Sequence, residues 1–413
     1  MQHLLHDDPQ MAELVRREEK RIESTLDLIA SENHMPAAIF EVMGSIFNTK
    51  TIEGYPGRRF HAGCEVVDEV ENLAIERAKK LFGAEHVNVQ PHSGTSANLA
   101  VYKSVLAIGD PVLALSLPHG GHLSHGHKAS LTSQCYNFQH YHVDMETGEI
   151  DYAELHRMAL ERKPAMIVTG ASAYARVIDY ARIAETARQV GAYFLVDLAH
   201  FAGLVAAGVN PSPVPYADFV TITCYKTLQG PRGGAILCRD EFAKKIDNAV
   251  FPGCQGTSAV SSIAAKAVSF KLAGEEPFVR NMRQTVANAR TMAHDFQAKG
   301  YAVVGGGTDT HQVILDVSSM GMDGASVENI LESVGIIANK NHIPKDSAVS
   351  AKTVSGLRIG TSGITVRGFQ EPEIQTLCDI MHSVMQAPKD EGILAAARNY
   401  VHDICAKFPI YEK

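Results

Sequence analysis

Short apolar runs alternate with amphipathic segments from about Leu81 to Val250, and this alternation restricts the fold more than any other feature of the sequence. The apolar runs include DPVLALSL, AMIVTG, AYFLVDLAH, FVTITC and GAILC, which have the length and composition of buried strands. The segments DYAELHRMALERK and DYARIAETARQVG have the periodicity of helices. Strands joined by helices imply crossover connections, so we predict an α/β fold with a mostly parallel central sheet.

The pattern changes after Phe251. A long helical region at about Ser258–Lys299 precedes two strand candidates (YAVVGG and HQVILDV), a helix in GASVENILESVG and a terminal helix near Glu371–Gln386. Near the N-terminus, MAELVRREEKRIESTLDLIA also has a helical pattern. Because 413 residues are too many for one ordinary core, we predict three parts: an N-terminal helical arm at 1–45, a large domain at 46–270 and a smaller α+β domain at 271–413.

Charge and composition argue against several classes of protein. A net charge of -8 and a pI of about 6.2 do not suit a general nucleic-acid binder. The N-terminal MQHLLHDDPQ lacks the basic and apolar regions of a signal peptide, and the longest uncharged stretch, Phe201–Ala217, contains three prolines and is a poor membrane span. Seven scattered cysteines without a C-x-x-C pattern indicate reduced thiols in a cytoplasmic protein, with no metal site.

Lys226 stands directly after an apolar, β-branched run and before the turn-forming GPRGG. Most lysines are solvated surface residues, and this stretch by itself is equally compatible with that interpretation. The alternative is a lysine that forms a Schiff base with a carbonyl cofactor at the end of a strand.

Two other features end strands in the same region. The segment HSGTSAN (92–98) follows HVNVQP, and its small residues precede a helix whose N-terminus favours an anion. Asp197 ends an apolar strand, where a buried carboxylate needs a partner. Each feature has an ordinary structural explanation as a cap or a turn. Together with Lys226 they supply what pyridoxal phosphate needs: a phosphate site, an acid for the pyridine nitrogen and an amine for the aldehyde.

Seven stretches carry a resemblance to the serine hydroxymethyltransferase family of fold-type I pyridoxal-phosphate enzymes. They occur in the family's order: LIASEN (28–33), EGYPGRR (53–59), VNVQPHSGTSAN (87–98), GGHLSHG (120–126), VDLAHFAGLVAAG (196–208), KTLQGPRGG (226–234) and SGLRIGTSGITVRG (355–368). The resemblance implies a fold-type I transferase with a large cofactor-binding domain and a smaller α+β C-terminal domain.

The resemblance also implies the site residues. Lys226 is expected to be the Schiff-base lysine, Asp197 the partner of the pyridine nitrogen, His122 the residue stacked on the ring and His200 the residue near the phenolic oxygen. The implied catalytic positions are Lys226, Glu53, His122, Asp197, His200 and Thr223. The implied cofactor contacts are Ser93, Gly94, Thr95, His122, Ser172, Asp197, His200, Tyr225, Lys226 and Gly256.

Substrate, folate and partner contacts follow from the same resemblance. The expected substrate contacts are Ser31, Thr51, His61 and Arg358, and the expected folate contacts are Leu117, Gly121, Leu123 and Asn341. Tetrahydrofolate is the expected one-carbon acceptor. Thr51, Glu53 and Gly256 are expected to complete the site of a second subunit, so we predict a homodimer or a dimer-of-dimers tetramer with shared sites.

This chain departs from the family pattern around the site. Thr51 stands where the family usually has tyrosine, Phe60 and His61 replace two tyrosines, and Cys224 and Tyr225 replace threonine and histidine. The stretch KDSAVSAKTVSG (345–356) lacks the usual Pro-Phe. Replacing a tyrosine by Thr51 opens space that an α-methyl group on the substrate could occupy.

The expected activity is cleavage or formation of the Cα–Cβ bond of a small β-hydroxy amino acid. The substrate pairs compatible with the sequence are serine with glycine and α-methylserine with D-alanine, and Thr51 slightly favours the second. One alternative is a folate-independent threonine aldolase or threonine transaldolase. Another is a catalytically silent binding or regulatory homologue, against which the intact Lys226, Asp197, His122 and Arg358 argue strongly.

Overall fold

The structure is a computed structural model that describes residues 2–348 and 354–411. The strands are β1 (Leu26–Asp27), β2 (Gly54–Tyr55), β3 (Arg58–Arg59), β4 (His86–Asn88), β5 (Pro111–Leu115), β6 (Asn137–Tyr141), β7 (Met166–Thr169), β8 (Tyr193–Asp197), β9 (Phe219–Thr223), β10 (Gly234–Cys238), β11 (Ala302–Val303), β12 (Gln312–Asp316), β13 (Ile336–Ile337), β14 (Asn339–Asn341) and β15 (Gly356–Gly360).

The helices lie between and around these strands. They are α1 (Gln2–Asp7), α2 (Pro9–Ser24), α3 (Ala37–Met43), α4 (Glu65–Phe82), α5 (Gly94–Val105), α6 (Leu131–Cys135), α7 (Tyr152–Arg162), α8 (Tyr180–Val190), α9 (Ala202–Ala206), α10 (Ala243–Asn248), α11 (Val260–Ala273), α12 (Glu276–Ala298), α13 (Gly324–Glu332), α14 (Ser362–Arg367), α15 (Glu371–Gln386) and α16 (Glu391–Lys407). None of the described helices is long and apolar enough to cross a bilayer.

The central sheet has seven strands in the order β4-β10-β9-β8-β7-β5-β6. Only β10 is antiparallel to its neighbours, so six of these strands run in one direction. Every residue of β7, β9 and β10 is buried, as expected for strands covered on both faces by helices. The predicted mostly parallel sheet is therefore confirmed.

A four-stranded antiparallel sheet of order β11-β12-β15-β14 follows later in the chain. Its apolar core combines residues of β12, β15, α12 and α15 with Leu26 and Leu28 from the N-terminal region. Strands β1 and β13 form a parallel pair, which also joins the N-terminal region to this later part of the chain. The predicted domain boundaries at 45/46 and 270/271 remain predictions.

Two helix predictions were wrong in detail. The N-terminal helix ends at Ser24, and the chain then enters β1. The buried guanidinium of Arg367 donates to the carbonyls of Ile22, Glu23 and Thr25, so the carbonyl groups left free at the helix end have a donor. The helix at Glu371–Gln386 is not terminal, since α16 follows it. The buried residues of α16 have a helical spacing that the sequence already contained: Leu394, Ala397, Val401 and Cys405.

Candidate active site

The predicted cofactor residues lie in loops at the carboxyl ends of the parallel strands. Asp197 is the last residue of β8, and Lys226 follows three residues after β9 ends at Thr223. His122 lies in the loop after β5, and Ser172 lies in the loop after β7. Ligand sites of open α/β sheets form at this edge, so the sheet gathers these positions on one side.

Lys226 is buried, with 8% of its surface exposed, and its Nζ makes no hydrogen bond or ion pair with any residue that the structure describes. Burial lowers the pKa of Lys226 to about 8, Asp197 opposes this change, and Arg358 and Arg232 add to it. At pH 7 about a tenth of such side chains are unprotonated amines, far more than for an ordinary lysine. Attack on an aldehyde carbon requires this unprotonated form.

Asp197 is buried among hydrogen-bond donors. Its Oδ2 accepts from Asn98 Nδ2 at 2.7 Å and from His125 Nε2 at 3.1 Å, and its Oδ1 accepts from the Ala199 N–H at 3.0 Å. Burial acts to raise the pKa of this carboxyl, but the hydrogen bond and charge of His125, followed by His122 and Asn98, hold the pKa well below its ordinary value. Asp197 is therefore ionised, as the partner of a protonated ring nitrogen must be.

The same network extends to His122. Asn98 Nδ2 donates to Ser124 Oγ at 2.9 Å, while Asn98 Oδ1 accepts from Thr221 Oγ1 at 2.6 Å. His122 Nδ1 lies 2.7 Å from Ser124 Oγ and accepts from the Ser124 N–H at 3.2 Å. Because Nδ1 accepts a hydrogen bond, the ring proton of neutral His122 lies on Nε2. Burial lowers the pKa of His122 to about 4, so the ring is neutral at pH 7.

His200 belongs to a second buried cluster, with His311 and Gln312. Gln312 Nε2 lies 3.1 Å from His200 Nδ1, and His311 Nε2 donates to the Ala30 carbonyl at 3.1 Å. The rings of His200 and His311 are stacked, with centroids 5.6 Å apart. Burial, and next the positive charge of Lys226, lowers the pKa of His200 well below its ordinary value. His200 is therefore a neutral side chain in this site.

The start of α5 fits a phosphate group. Ser93 caps the helix, because its Oγ accepts from the Ser96 N–H at 3.1 Å while its own N–H donates to Ser96 Oγ at 2.9 Å. The N–H groups of Gly94 and Thr95 have no acceptor among the described residues. Gly94 packs against Thr223, since a Cβ at Gly94 would lie 2.3 Å from Thr223 Oγ1. Two free N–H groups at the positive end of a helix suit a phosphate.

Tyr225 and Cys224, two departures from the family pattern, lie in different surroundings. The Tyr225 ring is half-buried and contacts Arg232, whose guanidinium carbon is 4.2 Å from the ring centroid, a cation–π distance. Cys224 is fully buried in the core of the sheet, where burial raises its pKa to about 11. The change at Cys224 therefore affects core packing, and the cofactor contact at Tyr225 stays a prediction.

Arg358 lies on β15, and its guanidinium is fixed at two points. Nη1 donates to the Ser172 carbonyl at 2.7 Å, and Nε donates to Asn339 Oδ1 at 3.1 Å. Nη2 has no partner among the described residues. Burial lowers the pKa of Arg358 to about 10, which leaves the side chain charged at pH 7. A fixed guanidinium with free donors suits a carboxylate.

Ser31 lies on a segment that joins the two sheets at the site. Asn33 Nδ2 donates to the Lys226 carbonyl at 3.0 Å. On the other side, Ala30 packs so closely on the end of β15 that a Cβ at Gly360 would lie 2.4 Å from the Ala30 Cα. Ser31 is half-buried between these contacts, two residues before the one that contacts the Lys226 backbone.

Thr51, Glu53, His61 and Gly256 are not assembled with Lys226 in the single chain. Thr51, His61 and Gly256 are exposed and Glu53 is half-buried. The side chains of Thr51, Glu53 and His61 make no hydrogen bond, ion pair or ring contact within the described part of the chain. This exposure is compatible with a role in a neighbouring subunit, which stays a prediction.

The predicted folate positions lie on two adjacent segments. These positions are Leu117, Gly121 and Leu123 in the loop after β5, and Asn341 at the end of β14. Pro118 and His342 line one cavity, so the two segments face each other. Leu123 exposes 52% of its surface, which leaves it free to contact a ligand. Of the departing segment at 345–356, residues 349–353 lie outside the described residues.

The sequence patterns did not single out several polar residues of the site. They are Asn98, Thr221, Ser124, His125, His311 and Gln312. Asn98, Ser124 and His125 stand inside HSGTSAN and GGHLSHG, so the motifs already contained them. For His311 and Gln312 the only indication was a pair of polar residues at the start of the apolar run HQVILDV.

Comparisons over the whole chain identify the family. The family model for serine hydroxymethyltransferase matches residues 4–381. The serine hydroxymethyltransferase of Coprothermobacter proteolyticus is 52% identical over 410 residues, which make up 99% of this chain and 98% of that protein. These findings confirm the predicted fold-type I class and the predicted pyridoxal-phosphate-dependent hydroxymethyltransferase. The chain belongs to the serine hydroxymethyltransferase family.

Proposed function

We propose that this chain transfers a hydroxymethyl group between a small β-hydroxy amino acid and tetrahydrofolate, and that pyridoxal phosphate is attached to Lys226. One observation carries the placement of the cofactor: the buried amine of Lys226 has no partner among the described residues, and the charge of Asp197 acts on it. An unpaired buried ammonium destabilises a protein, so a role in chemistry explains its presence better than a role in folding.

The chain offers a fitting group to each part of the cofactor. Ionised Asp197 would keep a proton on the ring nitrogen, the neutral His122 ring would pack on the cofactor ring, and neutral His200 would lie near the phenolic oxygen. The free N–H groups of Gly94 and Thr95 would bind the phosphate. When bound, pyridoxal phosphate supplies an electron sink for the electron pair released when the Cα–Cβ bond breaks.

Arg358 and Ser31 orient the amino acid. The free Nη2 of Arg358 binds the α-carboxylate, and the contacts of Nη1 and Nε to Ser172 and Asn339 fix the plane of the guanidinium. Glu53 from a neighbouring subunit moves the proton of the hydroxymethyl group, and the exposure of its loop agrees with this assignment. The active form is then a homodimer or a dimer of dimers.

Tetrahydrofolate is the proposed one-carbon acceptor, bound near Leu117, Gly121, Leu123 and Asn341. Phe60 exposes 75% of its surface, so its ring is available to stack on an aromatic ligand. The experiment is a substrate panel of L-serine, α-methyl-L-serine and L-threonine, each with and without tetrahydrofolate. Turnover that depends on tetrahydrofolate supports the proposal, and folate-independent cleavage of threonine as the main activity contradicts it.

Thr51 is the residue that we propose sets the substrate. A threonine leaves the volume of a phenol ring empty near the substrate Cα, so a methyl group on Cα is accommodated. One methyl group in a pocket is typically worth about 1–3 kcal/mol, or roughly 10–200-fold in kcat/KM. We therefore expect α-methylserine to be used at least as well as serine, with D-alanine as the product.

The test of Thr51 is the ratio of kcat/KM for α-methylserine and serine in wild type, Thr51→Tyr and the small-residue control Thr51→Ser. Thr51→Tyr should lower this ratio by roughly 10–200-fold, while Thr51→Ser should leave it nearly unchanged. A wild type that strongly prefers serine, with a ratio that Thr51→Tyr does not move, would show that Thr51 has no part in the choice.

A further inference from the structure

Lys266 is a second fully buried lysine, on helix α11, and it differs from Lys226 in having all its donors used. Its Nζ donates to the carbonyl oxygens of Val89 at 2.7 Å, Pro91 at 3.0 Å and Gly234 at 2.8 Å. An ammonium group has three protons, so each proton has one acceptor. Lys266 therefore has no donor left for a ligand, and it can affect chemistry only through the backbone that it binds and through its charge.

The three carbonyls belong to the backbone immediately behind the phosphate site. Val89 and Pro91 lie in the loop between β4 and α5, and Pro91 is two residues before the cap Ser93. Gly234 begins β10, and a Cβ on it would lie 2.6 Å from the Ser93 carbonyl oxygen. The Gly234 N–H also donates to the Pro91 carbonyl at 3.0 Å. Lys266 thus links the loop that contains Ser93 to the start of β10, which packs against that loop.

This contact leaves little freedom for the lysine or for the loop. A Cβ at Gly233 would lie 2.4 Å from the Lys266 Cε, so the strand start passes directly over the side chain. The charge also reaches the loop itself: burial, and next the charge of Lys266, lowers the pKa of His92. A positive charge beside the N-terminus of α5 adds to the positive end of the helix dipole.

We propose that Lys266 is a positioning residue for the phosphate group of the cofactor: it fixes the loop that ends in Ser93, Gly94 and Thr95 and adds a positive charge behind it. The inference rests on the proposed pyridoxal-phosphate site. Because Lys266 acts behind the phosphate loop and makes no hydrogen bond or ion pair with Lys226 or Asp197 among the described residues, we expect it to act on the phosphate part of the cofactor more than on the ring.

Comparing the binding of pyridoxal phosphate with that of pyridoxal distinguishes this role from a general structural one, because pyridoxal lacks only the phosphate. Their dissociation constants from the apoprotein are measured by absorbance for wild type, Lys266→Met, Lys266→Gln and Lys271→Met. Lys271 is an exposed lysine on the same helix, paired with Glu275, and serves as the matched control.

Lys266→Met should weaken pyridoxal phosphate binding about tenfold or more, because it removes three charge-assisted hydrogen bonds from the loop. Its affinity for pyridoxal should stay close to that of wild type. Lys266→Gln keeps two neutral donors, so its loss of affinity should be smaller and limited to pyridoxal phosphate. This variant is used for the test if the methionine variant does not fold. Lys271→Met should bind both compounds as wild type does.

Equal losses for both compounds, or no loss for either, would overturn the role of Lys266. A different result concerns the site itself. If the wild type binds pyridoxal phosphate no more tightly than pyridoxal, the proposed phosphate site at Ser93–Thr95 is wrong, and the inference about Lys266 is overturned with it.

Discussion

Two buried lysines of this chain should respond in opposite ways to the same substitution. Burial lowers the pKa of Lys226 to about 8, compared with about 10.4 for lysine in an unfolded chain. Because the folded pKa is the lower one, the unfolded chain binds the extra proton between these pH values. Lys226 therefore destabilises the folded apoprotein fully below about pH 8, and this effect disappears as the pH rises to about 10.4. At pH 7 the difference between the two pKa values corresponds to about 3 kcal/mol.

Lys226→Met should accordingly stabilise the apoprotein at pH 7 by up to about 3 kcal/mol, and the gain should shrink toward zero near pH 10. Burial lowers the pKa of Lys266 to about 8 as well, but its ammonium has three acceptors. Lys266→Met should therefore destabilise the apoprotein, because it leaves the carbonyls of Val89, Pro91 and Gly234 without their donor. The measurement is urea unfolding of the cofactor-free proteins at pH 7 and pH 10. All samples need the same protein concentration, since association of subunits also contributes to stability.

Two results would refute the reasoning about Lys226. One is a clear loss of stability in Lys226→Met at pH 7, which would mean that the ammonium has a stabilising partner. The other is a gain that is equal at pH 7 and pH 10, which would come from the apolar methionine side chain and not from a buried charge.

The remaining predictions concern covalent attachment and assembly. Borohydride should fix pyridoxal phosphate covalently on Lys226 in wild type and should not fix it in Lys226→Ala; a reducible adduct on Lys266 or another lysine of the variant would move the attachment site. Mixing Lys226→Ala chains with Glu53→Ala chains should restore part of the activity through hybrid dimers with one intact site; no recovery after verified exchange of subunits would contradict shared sites.

Local sequence was sufficient to predict the framework of the site. The alternation of apolar runs and amphipathic segments predicts a parallel sheet because strand and helix periodicity depend on residues close in the chain. Asp197 and Lys226 were recognised because each ends an apolar run, and the carboxyl ends of such strands meet at one edge of the sheet. Their roles depended on the resemblance of several motifs in order, since neither residue is diagnostic by itself.

The sequence could not decide features that depend on distant partners. Arg367 ends the N-terminal helix from more than three hundred residues away, and no local pattern near Ser24 contains that information. The tautomer of His122 follows from Ser124 and Asn98 only after α5 and the loop after β5 come together. A single chain shows Thr51 and His61 exposed and Glu53 half-buried, and their proposed place beside the Lys226 of a neighbouring subunit depends on an assembly that one chain does not contain.

The two lysines show the division most clearly. By itself the sequence determined that Lys226 stands at a strand end before a turn, and that Lys266 stands within a long helical region of small and apolar residues. Only the tertiary structure decided that, within the described part of the chain, the amine of Lys226 has no acceptor while that of Lys266 has three. The physical reason is that a buried ammonium is stabilised by acceptors within about 3 Å, and those acceptors come from segments brought together by packing across the whole chain.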